Sequence, residues 1–190
     1  KYVPNMTASS AVQSDYDKKF ANGFLGIRNL GCVCYMIATL QQFYCTPAFR
    51  YGVLMAKDGA EENKAEIKGR TLDDNFFHQF QRMLSYLDFS ERRDYSPLDF
   101  CLAYKDGSGQ PLNVMVQQDA DEFLKILVDR IETSLKNSPF LGILKSVYLG
   151  KICNIIKCKG CGYVKTNEED FFNLSLEVKG MHNTTDSLDK

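Results

Sequence analysis

Cys34 stands where a turn, Gly26-Ile27-Arg28-Asn29-Leu30-Gly31-Cys32-Val33, runs into a helical pattern beginning Cys34-Tyr35-Met36-Ile37-Ala38-Thr39-Leu40-Gln41. A nucleophilic cysteine would be built in such a place. Unpaired N–H groups and the positive end of the helix dipole stabilise a thiolate, which is the reactive species. The helix follows from Leu40, Phe43 and Tyr44 recurring at helical spacing with few breakers before Pro47, and is expected over 34–46. The competing reading is a buried thiol, the common fate of an intracellular cysteine. Farther on, Cys158 and Cys161 form a C-x2-C knuckle with Gly160 inside and Gly162 after it. That geometry lets two thiolates share one tetrahedral zinc. It is half a site, because structural zinc takes four ligands and no second pair follows before Lys190. The alternatives are ordinary thiols or a redox pair. A redox C-x-x-C is expected beside a βαβ unit, whereas this one lies between strand-like segments.

Thiol chemistry on a peptide bond needs a base that takes the thiol proton and later protonates the leaving amine. The chain has two histidines. His78 falls inside a helical pattern between Phe77 and Gln79, and reads as a partly exposed helix residue. His182 sits in a turn, Gly180-Met181-His182-Asn183-Thr184-Thr185.

The elements that must hold these residues follow from periodicity. Leu72, Phe76, Phe80, Met83, Leu84 and Leu87 predict an amphipathic helix over 72–87, with Phe76 and Phe80 as core residues. The stretch from Gly52 to Lys68 contains a charged, exposed segment. Ser96-Pro97 opens a short helix, with Ser as N-cap and Pro at the first helical position. Lys105-Asp106-Gly107-Ser108-Gly109-Gln110-Pro111 is a loop by composition. Asp119 is a good N-cap with Glu122 at capping-box spacing, and Phe123, Leu127, Ile131 and Leu135 recur every four residues, which predicts a helix over 120–135. Residues 151–157 are isoleucine-rich, and Phe172, Leu174, Leu176 and Val178 alternate onto one face, so strands are expected around the knuckle. Helices followed by strands make an α+β chain.

Composition excludes more than it assigns. The 190 residues are 44% apolar, enough for a sizeable core in one domain or a large part of one. A net charge of -1 leaves no electrostatic footprint for nucleic acid or a membrane surface, and demotes a zinc-ribbon nucleic-acid module. Seven cysteines at irregular spacing argue against a disulfide framework. No apolar run is long enough for a signal peptide or membrane span, so a reducing compartment, cytoplasmic or nuclear, is expected. Residues 1–22 read as a polar leader, and both ends look like cuts in a longer chain. Cys45, Cys101 and Cys153 read as small core residues.

The segment around Cys34 resembles the cysteine box of the ubiquitin-specific proteases, papain-like deubiquitinases, which reads roughly G-L-x-N-L-G-N-T-C-Y-M-N-S-x-L-Q. Gly26, Asn29, Leu30, Gly31, Cys34, Tyr35, Met36, Leu40 and Gln41 stand in matching places. Cys32, Val33 and Ile37 depart from the pattern, which thins the polar support of the turn. Gln117-Gln118-Asp119-Ala120-Asp121-Glu122-Phe123-Leu124 looks like the family's Q-Q-D-A-x-E-F-L box. The knuckle, with the run from Glu168 to Val178, is similar to the start of its fingers subdomain, particularly in the very large fat-facets-like members. The resemblance implies a papain-like fold, here the helical thumb plus the beginning of the β fingers, spanning 23–190 as the N-terminal part of a catalytic domain. It implies that Cys34 is the nucleophile and that Asn29 supplies an oxyanion donor, whose loss costs about 100- to 1000-fold in rate. Asp119 and Gln118 would line the channel for the ubiquitin tail, Asp119 facing an arginine there; capping alone also explains an Asp at 119. Cys158 and Cys161 would be half of a structural zinc site completed beyond residue 190.

The implied activity is hydrolysis of the isopeptide bond at the ubiquitin C-terminus, with ubiquitin and ubiquitinated proteins as partners. By the family's order the histidine and its Asp or Asn fall beyond Lys190. His78 lacks the neighbours of the family's histidine box and His182 comes too early. Residues 1–190 alone are therefore expected to be inactive. A catalytically dead ubiquitin-binding scaffold is the alternative from another class, supported by the changes at Cys32, Val33 and Ile37 and opposed by Asn29 and Cys34. A papain-like protease acting on other proteins or on a ubiquitin-like modifier shares the chemistry and differs in the tail channel.

Overall fold

A computed structural model describes residues 18, 19, 21, 23–57, 74–105 and 108–188. The chain divides after Leu144 into two compact units. The first is helical. Helix α1 (Cys34–Tyr44) stops two residues short of the expected 46, because Pro47 lacks the N–H that a continuing helix would need. Pro47 instead starts α2 (Pro47–Met55) at its first position. A charged, exposed segment was expected within 52–68, and the first residues of that stretch, 52–55, belong to α2. Gly52 is a buried residue inside α2, and a Cβ there would come within 3.0 Å of Ile143 and 3.4 Å of Phe140. Gly52 serves close packing. Residues 58–68 of that segment lie outside the described residues.

Helix α3 (Phe76–Phe89) begins later and ends later than the predicted 72–87. Asn75 caps it by accepting from the His78 N–H. Leu72 lies outside the described residues. Strands β1 (Gly26–Ile27) and β2 (Asp94–Tyr95) pair in parallel. Helix α4 (Leu98–Ala103) is capped at Pro97, one residue past the expected Ser96. Helix α5 (Ala120–Ser134) matches its prediction: the Asp119 carboxylate accepts from the N–H groups of Asp121 at 2.8 Å and Glu122 at 3.0 Å. Phe123, Leu127, Ile131 and Leu135 are all buried. Within the stretch read as a leader, the Lys19 ammonium donates to the carbonyls of Leu87 and Asp88 at the end of α3, where a cation suits the helix dipole.

The core of this unit is a chain of aromatic rings. Phe43 meets Phe49 at 4.8 Å between centroids, and Phe49 meets Phe80 at 6.3 Å. Phe80 meets Phe100 at 6.2 Å, and Tyr104 meets Phe123 at 5.3 Å. Tyr35 then closes edge-on against Phe123 at 5.5 Å, a favoured aromatic geometry. In this way α1 is fastened to α5.

Helix α6 (Ile143–Tyr148) leads into the second unit. There β3 (Gly150–Lys157) and β4 (Val164–Phe171) form an antiparallel hairpin, in register from Gly150 opposite Phe171 to Lys157 opposite Val164. The Phe171 ring lies where a Cβ on Gly150 would be. The expected strand over Phe172–Val178 does not form. The ladder ends at Phe171, and no described strand pairs with the alternating residues that follow; alternation predicts faces, while a strand also needs a partner. A short helix, α7 (Thr184–Leu188), closes the described chain.

Candidate active site

Cys34 is the first residue of α1, and it is exposed. Among the described residues no side chain caps this helix, and its first turn holds no acidic residue. The N–H groups at its start are therefore not claimed by a neighbouring carboxylate. Behind the thiol, Gln41 ties α1 to the preceding segment by donating to the Leu25 carbonyl at 3.2 Å.

The turn before Cys34 is held from two sides. Asn29 uses its side-chain carbonyl Oδ1 to accept from the N–H groups of Gly31 at 3.1 Å and Val33 at 3.4 Å. Those bonds fix which end of the amide is oxygen and which is nitrogen. Nδ2 is left uncommitted among the described residues, and it is a donor. Asn29 is itself set by β1: the Arg28 N–H donates to the Tyr95 carbonyl at 2.8 Å, and the Arg28 guanidinium pairs with Asp94 at 2.6 Å. From the other side, the Cys32 N–H donates to the Val114 carbonyl at 2.7 Å. A Cβ on Gly31 would lie 2.6 Å from that same oxygen, so only glycine lets the loop ahead of α5 approach this closely.

Neither Val114 nor the Arg28–Asp94 pair was found by reading the sequence. Gly31 was the available signal, since a glycine amid a turn of larger residues marks a close approach of backbone. Tyr35 is buried, with its hydroxyl unpartnered among the described residues. Burial, aided by Cys101 and Cys34, raises the pKa of its phenol.

Residues 25–186 match the family model described as ubiquitin carboxyl-terminal hydrolase. The chain belongs to the ubiquitin carboxyl-terminal hydrolase family. Over 168 residues it is 35% identical to ubiquitin carboxyl-terminal hydrolase puf of Drosophila melanogaster, covering 88% of this chain and 4% of that protein. Over 170 residues it is 34% identical to ubiquitin carboxyl-terminal hydrolase 34 of Homo sapiens, again covering 88% of this chain and 4% of the relative. With ubiquitin carboxyl-terminal hydrolase 5 of Schizosaccharomyces pombe it shares 29% identity over 175 residues, 92% of this chain and 15% of the relative. The chain thus spans a small part of the curated relatives it matches. A solved structure, the SAGA Ubp8/Sgf11/Sus1/Sgf73 DUB module bound to ubiquitin aldehyde, superposes with a TM-score of 0.64 at 24% identity, covering 95% of this chain and 40% of that one. The fold is therefore that of a ubiquitin-specific protease.

Within this family, the three departures of the cysteine box take on a structural sense. Val33 is fully buried, a place suited to an apolar residue. Ile37 is half-buried, and its N–H donates to the Val33 carbonyl at 3.0 Å. Cys32 is exposed. The bonds that hold the turn come from Asn29 Oδ1 and the Val114 carbonyl, and none comes from the side chains at 32, 33 or 37. The turn is thus held by the Asn29 side chain and one backbone carbonyl, without the side chains at the three departing positions.

Asp119 is exposed, and the bonds by which it caps α5 use one carboxylate oxygen, Oδ1. Oδ2 takes no part in them. Gln118 is half-buried beside it. His78 lies in the first turn of α3. His182 lies in the second unit, where its backbone N–H donates to the Asp186 carboxylate at 3.1 Å.

In the second unit Cys158 and Cys161 flank a tight turn. The Cys158 N–H donates to the Tyr163 carbonyl at 2.8 Å, and the Gly162 N–H donates to the Cys158 carbonyl at 3.0 Å, with Gly162 at φ 74°. Hydrogen bonds from the backbone of Cys161 and Gly160, and from the Cys161 thiol, lower the pKa of the Cys158 thiol. Donors aimed at a sulfur favour its anionic, metal-binding form. These two thiols could supply two ligands to a metal. Among the described residues no group of three or more His, Cys, Asp or Glu side chains is gathered for one.

Proposed function

We propose that this chain carries the nucleophile-bearing part of a deubiquitinase that hydrolyses the isopeptide bond after the C-terminal glycine of ubiquitin. The observation that carries the reading is the pairing of an exposed Cys34 at a helix start with an Asn29 amide whose oxygen is committed to the turn. In this mechanism Cys34 Sγ attacks the scissile carbonyl. The negative charge that develops on its oxygen is met by Asn29 Nδ2, and a histidine supplied by chain beyond residue 190 takes the thiol proton and returns it to the leaving amine. Water then releases ubiquitin from the thioester. Gln118 and Asp119 line the path of the ubiquitin tail, with Asp119 Oδ2 accepting from an arginine while Oδ1 caps α5.

Cys158 and Cys161 provide two of four ligands to a structural zinc, a role supported by the donors around Cys158. Seven free cysteines support a reducing, intracellular setting. No helix among the described residues is long and apolar enough to cross a membrane.

The test is reaction of the full-length protein with ubiquitin bearing a C-terminal thiol-reactive trap. One ubiquitin is expected to attach to Cys34, and Cys34→Ser should abolish the adduct. Attachment elsewhere, or binding without reaction, would sink the enzyme reading in favour of a ubiquitin-binding scaffold. Asn29→Ala should lower turnover about 100- to 1000-fold with little change in ubiquitin affinity.

A further inference from the structure

The nucleophile turn holds a second thiol that the proposed reaction does not use. Burial alternates along Cys32-Val33-Cys34: the valine is fully buried and the cysteines on either side are exposed. Both thiols therefore stand on the solvent side of one short turn. Val33 is bent, with φ -104° and ψ 20°. Two residues of extended strand would separate the flanking Cα atoms by roughly 6.6 Å. The bend draws them closer, within the span of roughly 4.4–6.8 Å that a disulfide bridges. The turn is also pinned, by the Asn29 carboxamide at Gly31 and Val33 and by the Val114 carbonyl at Cys32.

The other cysteines of this unit are poorly placed to meet Cys34. Cys45 caps the far end of α1, roughly 16 Å along the helix at about 1.5 Å per residue. Cys101 is buried, its thiol in contact with the Met36 sulfur at 3.9 Å. Burial raises its pKa to about 11.

We infer that Cys32 and Cys34 form an oxidant-responsive dithiol, in which Cys32 resolves the oxidised nucleophile. The oxidant is a hydroperoxide such as hydrogen peroxide. The Cys34 thiolate attacks one peroxide oxygen, giving Cys34 sulfenic acid and hydroxide. The Cys32 thiol then attacks the Cys34 sulfur, forming the S–S bond and releasing water. A bridge across one intervening residue is strained, and strained disulfides are the readily reduced ones. The modification therefore protects Cys34 from further, irreversible oxidation and is reversed by cellular thiols. This inference rests on Cys34 being the reactive thiol of the proposed function.

The test treats the reduced full-length protein with near-stoichiometric hydrogen peroxide, blocks remaining thiols, and maps the tryptic peptide Asn29–Arg50 by mass spectrometry. The expected result is loss of two hydrogens, with fragments that place the link between Cys32 and Cys34, and full recovery of both thiols with dithiothreitol. In Cys32→Ser, which keeps the backbone N–H, the link should be lost and Cys34 should be captured as a dimedone adduct. Equal dimedone capture in wild type and Cys32→Ser, or a link to Cys45, would overturn the proposal. Reaction of the untreated protein with the ubiquitin trap is read in parallel. A disulfide without trap reaction upholds the dithiol and removes the deubiquitinase reading, whereas trap reaction without a disulfide removes the dithiol alone.

Discussion

In the helical unit, Phe49, Phe80, Phe100, Leu40, Leu84 and Leu127 are all completely buried, whereas in the hairpin Ile155, Ile156 and Tyr163 stay 66%, 67% and 68% exposed. The first unit is held by side chains packed between helices. The second is held by its backbone ladder and by the turn at the knuckle. The cysteines follow the same division. Cys101 is buried with a thiol pushed up to about 11 by desolvation, while Cys158 is exposed with a thiol lowered by neighbouring N–H donors. Burial makes a thiol inert, and exposure beside fixed donors makes it a ligand or nucleophile.

The sharpest way to break this contrast is truncation of one apolar residue in each unit. Phe80→Ala removes a ring from the centre of the aromatic chain and should cost about 3–5 kcal/mol, read as lost amide-exchange protection across α1 and α3. Ile156→Ala removes an exposed side chain and should change stability by no more than about 0.5 kcal/mol. Equal effects would show that the hairpin is packed in the full-length protein.

A smaller effect is expected at the cap of α5. Asp119→Ala should destabilise that helix by about 0.5–2 kcal/mol, with Asp119→Asn recovering most of the loss. If Asp119 also meets a substrate arginine, Asp119→Asn will keep the helix and still weaken ubiquitin affinity, which separates the two roles.

The smallest perturbation is chemical. A lowered thiol pKa means more thiolate at any given pH, so in metal-free protein alkylation of Cys158 should persist to lower pH than that of an ordinary cysteine. Cys101 should resist until the pH approaches about 11 or the unit unfolds. Matching pH profiles for the two would contradict the contrast.

What the sequence made legible was local. The Asp119 cap and the four-residue spacing from Phe123 to Leu135 lie within one helix, and both hold in the structure. The start of α1 at Cys34 was legible for the same reason. Helix α2 was not read from the sequence, because Gly52 is a poor helix former and its burial depends on Phe140 and Ile143 far along the chain. The strand assigned to Phe172–Val178 failed because alternation carries no information about a partner. At the candidate site, Cys34 and Asn29 were visible as types at a spacing, but the bond from Cys32 to Val114 and the Arg28–Asp94 pair were not. Contacts between distant segments leave only indirect traces in sequence, such as the glycine at 31.

The Cys32–Val114 bond also sets an order of events during synthesis. The turn before Cys34 emerges from the ribosome early, yet the carbonyl that completes it belongs to a loop made only after α1 to α4 have been translated. Until Val114 arrives, Cys34 sits on a turn secured from one side. A nascent chain therefore carries Cys34 before it carries the backbone that fixes the turn ahead of it, and the turn is completed only after the helices in between have been made.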